Sequence, residues 1–342
     1  MAIEAIRTKK ELQDAVYGFR ASRIILTAFE LGLFSALGTA SLDAAQLAAA
    51  SGADTRACER LLNALCVLGL IKKTRGRFRN TKISREHLVA GQPRFLAGLA
   101  HSASQWQSWH TLSDAVRRGT SVIQRRAGGN EEQRRRGFIA AMHERASLQA
   151  PRFVKMLDLV PVRRCLDIGA GSGAYAMALA RAKKSLQVVA FDLPEVLPLT
   201  REYVRRGKLL KQVAFAGGDF NRGGFGSGFD LVLLSAIVHM NDAEQNRRLV
   251  ARAAAALDPG GQLVVQDFIM GPNRTRPALG ALFALNMLVA TARGDSYTAA
   301  EIGGWMRAAG LKNIVKKETP FAAALLIGRK PQKPVKPAKP PD

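Results

Sequence analysis

Apolar positions in the first third of the chain recur at helical spacing. Ala15 to Leu37 reads as one such stretch, Ala44 to Ala50 as a short second and Thr55 to Leu68 as a third. Asp43 and Asp54 precede the last two as helix caps. From Gly69 the period changes: Leu70 and Ile71 open a strand, and Lys72 to Phe78 reads as a hairpin about Arg75-Gly76. Helix, turn, helix and hairpin in this order form the winged-helix pattern. Beyond residue 160 short apolar runs alternate with helical stretches. The clearest runs are Cys165 to Ile168, Leu186 to Phe191, Phe229 to Leu234 and Gln262 to Gln266, with a further strand ending before Gly218. That alternation predicts an α/β fold, a mostly parallel doubly wound sheet behind an N-terminal α-rich winged-helix domain. In such sheets ligands gather at the C-terminal ends of the strands.

The chemistry concentrates at those ends. The strand of Cys165, Leu166 and Ile168 runs into Gly169, Gly171 and Gly173, and a helix follows from Ala174. Glycine lets a backbone turn sharply and approach a ligand closely. The next strand delivers Asp192, and a carboxylate there can accept both hydroxyls of a ribose. Alternating glycines differ from the dinucleotide spacing G-x-G-x-x-G, whose helix must meet a pyrophosphate. The arrangement, with Asp167 at the strand end, suits a ligand with an adenosine and an amino-acid tail but no phosphate.

Composition narrows the setting. The chain has 342 residues, enough for one large core and a smaller domain. It contains no long uncharged apolar run, so no membrane span is expected, and Met1 to Lys10 lacks the apolar segment of a signal peptide. Cys58, Cys66 and Cys165 fall inside helix or strand patterns without metal-type spacing, which fits a reducing cytoplasm. No acidic cluster has octahedral ligand spacing, so no metal is expected. The net charge of +24 is spread along the chain, whereas a nucleic-acid footprint is usually one face. A DNA-reading third helix should offer polar groups to base edges; this one carries Leu61, Leu62, Leu65, Val67 and Leu68, better suited to packing against another subunit.

The Asp-x-Gly-x-Gly-x-Gly pattern resembles the S-adenosylmethionine-dependent methyltransferases. Glu30-Leu31-Gly32-Leu33-Phe34, Asp192-Leu193-Pro194, Gly218-Asp219-Phe220 and Leu234-Ser235-Ala236-Ile237-Val238-His239 sharpen the likeness. Over about residues 12–330 the chain resembles the O-methyltransferase family of plant phenylpropanoid, hydroxyindole and bacterial secondary-metabolite enzymes. The resemblance implies S-adenosylmethionine as cofactor, a homodimer formed through the N-terminal domain, a small-molecule acceptor and no nucleic-acid partner. It places Gly169 at the methionine tail, Asp192 at the ribose and Asp219 at the adenine amino group, with Leu193 and Phe220 around the ring. Asp167, Gly171, Gly173 and Ser235 complete the expected cofactor set.

A phenol, with a pKa of about 10, needs a base before it can attack at neutral pH. Histidine suits the task, and His239 stands just past the fourth strand, where the family has its base. Asp267 falls at the family's acid, placed to hold the imidazole. Phe138, Met142 and His143, with Phe283, Asn286 and Met287, are the candidate acceptor contacts, and Trp106, Trp109 and His110 lie on a nearby amphipathic stretch. The chain also departs from the plant members. Met240-Asn241 replaces Asp-Trp, Ser296 replaces a glutamate and Ser235 replaces a lysine, so the base has fewer acidic helpers. The expected organisation is a winged-helix dimerisation domain over 10–95, a helical connector over 96–160, a cofactor-binding domain over 161–330 and a disordered Lys/Pro tail over 331–342. Two alternatives remain open at this level: a winged-helix regulator that only binds S-adenosylmethionine, and a nucleic-acid methyltransferase. The second lacks the Asn/Asp-Pro-Pro-Tyr type of box, having Ser235-Ala236-Ile237-Val238 instead.

Overall fold

The structure, a computed structural model, describes residues 5–123 and 131–332; most of the expected Lys/Pro tail, residues 333–342, lies outside the described residues. The apolar stretch from Ala15 to Leu37 is not one helix. It is shared among α1 (Lys9–Tyr17), α2 (Phe19–Glu30) and α3 (Leu33–Leu37). Gly32 takes φ +67°, a left-handed turn that redirects the chain and buries Leu33, Phe34 and Leu37. α4 (Ala44–Ser51) and α5 (Thr55–Val67) begin at the expected aspartates, whose carboxylates accept the N–H groups of Gln46 and Ala57.

β1 (Ile71–Thr74) and β2 (Arg77–Asn80) pair antiparallel, with Arg75 and Gly76 both at positive φ as a two-residue hairpin requires. Cys58, Leu62 and Leu65 of α5 pack with Phe34, Leu47, Ile71 and Phe78 in this region's own core. For Leu62 and Leu65 that corrects the expectation of packing against another subunit. An amphipathic helix buries its stripe against the nearest elements, here α4 and the hairpin. Val67 does remain 88 % exposed.

α6 (Lys82–His87), α7 (Leu99–His110), α8 (Leu112–Arg118) and α9 (Glu131–Val154) follow. The chain divides into two compact units. The first holds the chain up to Gln107 and the helical stretch ending at Ala141; the second holds the segment from Ser108 and everything from Met142 onward.

The second unit is built on β3 (Arg164–Ile168), α10 (Ala174–Ala182), β4 (Gln187–Asp192), α11 (Leu197–Arg206), β5 (Val213–Gly217) and β6 (Phe229–Ser235). A 3-10 turn over Val238–Met240 leads to α12 (Ala243–Ala256), β7 (Leu257–Asp267), α13 (Ala278–Ala290), α14 (Ala299–Ala308), β8 (Lys312–Glu318) and β9 (Ala324–Arg329). The seven strands are ordered β5-β4-β3-β6-β7-β9-β8. The first five run parallel, and β9 enters antiparallel between β7 and β8. Strand order reverses between β3 and β6, so the binding crevice of an α/β sheet opens there.

β7 starts earlier than Gln262. Leu257 already pairs with Phe229, and the register slips before Leu231 meets Gln262, so Asp258 to Gly261 lie within the strand instead of before it. The β8–β9 hairpin carries no clear alternation in β8, whose side chains are almost all exposed at the sheet edge.

Candidate functional site

The chain leaves β3 through Gly169, Gly171 and Gly173, at φ +70°, +55° and +74°. At Gly169 the requirement is steric as well: a Cβ would stand 2.2 Å from Cδ1 of Ile237, a buried residue just past β6. The two strand ends at the reversal point therefore touch through a glycine. Asp192 ends β4 and folds its carboxylate back onto the turn, where Oδ2 accepts the Gly171 N–H at 2.7 Å and Oδ1 the Leu193 N–H at 2.8 Å. Burial raises the Asp192 pKa, and those two bonds oppose the rise. Each carboxylate oxygen retains a further lone pair for an incoming hydroxyl.

Asp167 is 2 % exposed and its Oδ2 accepts the Ala176 N–H at 3.2 Å, tying β3 to the first turn of α10. Burial pushes its pKa to about 7, with the Asp192 charge adding to the rise. Asp219 follows β5; it is partly exposed, accepts the Asn221 N–H at 2.8 Å and pairs with Arg222. Phe220 packs half-buried on the core, Leu193 is half-buried beside Asp192, and Ser235 is buried at the end of β6.

His239 lies on the turn after β6, 8 % exposed. Its Nδ1 is 2.9 Å from Asp267 Oδ1 and 3.0 Å from Oδ2 at the end of β7. The Phe268 N–H donates to the same carboxylate at 2.8 Å and the His239 N–H at 3.3 Å. An ionised carboxylate only accepts, so Nδ1 carries its proton toward Asp267 and Nε2 keeps a free lone pair. The turn that presents this ring is strained: Ala236 has φ +57°, a conformation that a non-glycine residue rarely adopts.

Phe283 on α13 meets the His239 ring edge-on at 4.8 Å and Phe268 at 4.5 Å. Asn286, one turn further, accepts from the Trp109 indole N–H at 3.1 Å, and Met287 is buried. Met142 is half-buried on α9. His143, expected as an acceptor contact, is engaged elsewhere. Its Nδ1 is 2.9 Å from Ser172 Oγ in the glycine turn, and its ring lies 4.1 Å from Tyr203. One turn of α9 aims it at α10 and α11, where it lines a cavity of about 300 Å³ with Arg181 and Arg206. Phe138 belongs to the first unit and packs edge-on against His101 at 5.2 Å; Trp106, also there, lies under the Arg23 guanidinium. His110 lies at the end of α7 and is exposed.

Two neighbours of the site have no local sequence signature. Arg145 stacks on Phe268, its guanidinium 4.8 Å from the ring centroid. Gln266 donates to the Tyr175 hydroxyl at 2.6 Å.

An O-methyltransferase domain family matches residues 109–312, and an O-methyltransferase dimerisation domain family matches residues 13–90. The chain belongs to the O-methyltransferase family. A 3-hydroxy-5-methyl-1-naphthoate 3-O-methyltransferase of Streptomyces sahachiroi is 32% identical over 327 residues, 93% of this chain and 94% of that one. An O-methyltransferase family protein from Burkholderia thailandensis superposes with a TM-score of 0.83 at 27% identity, covering 96% of this chain and 99% of the other. Human N-acetylserotonin methyltransferase, solved in complex with its methyl donor, gives a TM-score of 0.78 at 27% identity over 97% of this chain and 100% of that one. The cofactor of this O-methyltransferase is S-adenosylmethionine. Its residues fit that molecule: a glycine turn with no room for a Cβ at Gly169, and a half-buried carboxylate at Asp192 with acceptor capacity to spare. Among the described residues no helix is long and apolar enough to cross a membrane.

Proposed function

We propose that this O-methyltransferase acts on a hydroxyl of a small aromatic or polyketide-like molecule, with His239 as general base. The observation that carries the reading is the buried pair of His239 and Asp267 at the ends of β6 and β7. Asp267 holds Nδ1–H, so Nε2 receives the hydroxyl proton as the oxygen attacks, and the carboxylate stabilises the imidazolium that results. S-adenosylmethionine, when bound, supplies a sulfonium methyl whose transfer leaves a neutral thioether. Because that leaving group needs no help, alignment and removal of the acceptor proton are what this chain contributes.

Asp167, Gly169, Gly171, Gly173, Asp192, Leu193, Asp219, Phe220 and Ser235 would hold the cofactor. Asp192 takes the ribose hydroxyls and Asp219 the adenine amino group. Asp167 acts through its grip on α10. Phe283, backed by the buried Phe268, presents flat apolar surface beside the imidazole, which suits a planar acceptor, with Asn286, Met287 and Met142 as further contacts. The Streptomyces relative is named for a hydroxynaphthoate and the human one for N-acetylserotonin, both aromatic. The chain works as a homodimer through its N-terminal region, where Leu12, Val16, Tyr17 and Phe19 leave 51–58% of their surface exposed. This reading assigns no role to nucleic acid.

The test is mass detection of methylated product across a panel of aromatic hydroxyl compounds, with His239→Ala alongside. The variant should bind S-adenosylhomocysteine normally by calorimetry yet turn over at least ~100-fold more slowly. Full activity in the variant would remove His239 from the reaction.

A further inference from the structure

Gln266 is 3 % exposed and stands one residue before Asp267. Its side-chain N–H donates to the Tyr175 hydroxyl at 2.6 Å, and its backbone carbonyl accepts the Ala236 N–H at 2.8 Å. Tyr175, itself buried, sits in the first turn of α10, directly after the glycine turn. Ala236 is the strained residue of the turn that carries His239. One residue thus joins three elements: its side-chain amide reaches the element that follows the cofactor turn, and its backbone carbonyl ties the strand end that bears Asp267 to the turn that bears His239.

The other end of that amide is unusual. Among the described residues Gln266 Oε1 has no hydrogen-bond partner although it is buried. Buried polar atoms without partners are destabilising and are few in native proteins. An apolar side chain of similar size would fill this position without that penalty, so packing alone does not explain a glutamine.

We propose that Gln266 is a positioning residue that links occupation of the glycine turn to the geometry of the His239–Asp267 pair, acting through Tyr175. The proposal rests on His239 being the base. Adjacent strand residues point to opposite faces, so Gln266 does not touch the imidazole. Its two bonds instead fix the backbone from which Asp267 reaches Nδ1. A ligand held on Gly169, Gly171 and Gly173 orders the start of α10, and with it the hydroxyl that Gln266 grips. The hydrogen bond is the shared element through which the two halves of the site bias one another.

The experiment follows the His239 imidazole resonance by NMR while S-adenosylhomocysteine is added, with calorimetry on the same samples. In the wild-type chain, saturation should move the resonance. Tyr175→Phe keeps the ring and its packing; it should bind S-adenosylhomocysteine within about threefold of wild type and lose that movement. Gln266→Met, of similar size, should behave alike. Each should lower kcat about 10-fold with KM little changed, and the double variant should be no worse than either single one, because both cut the same link. An unmoved resonance in the wild type, an undiminished response in Tyr175→Phe, or additive losses would each overturn the proposal. Retained activity in His239→Ala would sink the base assignment instead, a separate outcome that the NMR response does not depend on.

Discussion

The two halves of the site, one around β3 and β4 and the other around β6 and β7, are made from different materials. The first is mostly backbone. Gly169, Gly171 and Gly173 shape the turn, and Asp192 is held by the N–H groups of Gly171 and Leu193. The second is mostly side chain: His239 on Asp267, Phe283 between His239 and Phe268, and Gln266 on Tyr175. A backbone-built half tolerates almost no substitution, because the constraint is on φ and on space. A side-chain-built half keeps its chemistry while its surroundings change. Met240-Asn241 and Ser296, the departures noted in the sequence, fall in the second half. Ser296 there donates to the Gly280 carbonyl at 3.1 Å, and Asn241 is paired with Asn221 at 3.0 Å, so neither position is idle.

That contrast can be broken by experiment. The largest expected effect is at Asp267→Asn. An amide can donate to Nδ1, which puts the imidazole proton on Nε2 and disables the base; kcat should fall about 100-fold while S-adenosylhomocysteine affinity holds. Loss of cofactor affinity well beyond about threefold in that variant would mean that the two halves share more than the Gln266–Tyr175 link. Gly169→Ala probes the opposite half. Its φ of +70° and the 2.2 Å approach to Ile237 should cost on the order of 10-fold or more in S-adenosylhomocysteine affinity by calorimetry. Normal affinity would show that the turn has slack.

The smallest effect concerns Asp167. Its pKa rises from 3.8 to about 7, so the folded chain binds this proton more tightly than the unfolded one. The stabilisation is complete below 3.8 and is lost as pH rises toward about 7. Asp167→Asn keeps an acceptor for the Ala176 N–H but has no proton to lose. Its Tm should therefore change less than that of the wild type between those two pH values; equal slopes would place the proton elsewhere.

The same division governs what could be read from the sequence. The glycine turn, Asp192 and the Arg75-Gly76 hairpin were legible because each is a local demand on the backbone, written in consecutive residues. His239 and Asp267 were legible only in part, by their places after two strands; that they pair at 2.9 Å is a tertiary fact. Tyr175 and Gln266 are 91 residues apart, and Trp109 and Asn286 are 177 apart, so neither contact leaves a spacing to recognise. The neighbours of His143 in sequence point to the acceptor, whereas one turn of α9 directs its ring to Ser172. The break at Gly32 was hidden because apolar periodicity continues across it, and β8 because an exposed edge strand needs no alternation.

Gly294 fixes the limits within which this enzyme can acquire new acceptors. A methyl group there would lie 2.4 Å from the His239 carbonyl oxygen, which also receives the Asp295 N–H at 3.0 Å. The segment after α13 is thus pressed against the peptide that bears the imidazole. Reshaping that segment would drag the imidazole with it. Diversification is channelled onto the side chains of α13, such as Phe283 and Met287, which can change size while the histidine stays where it is.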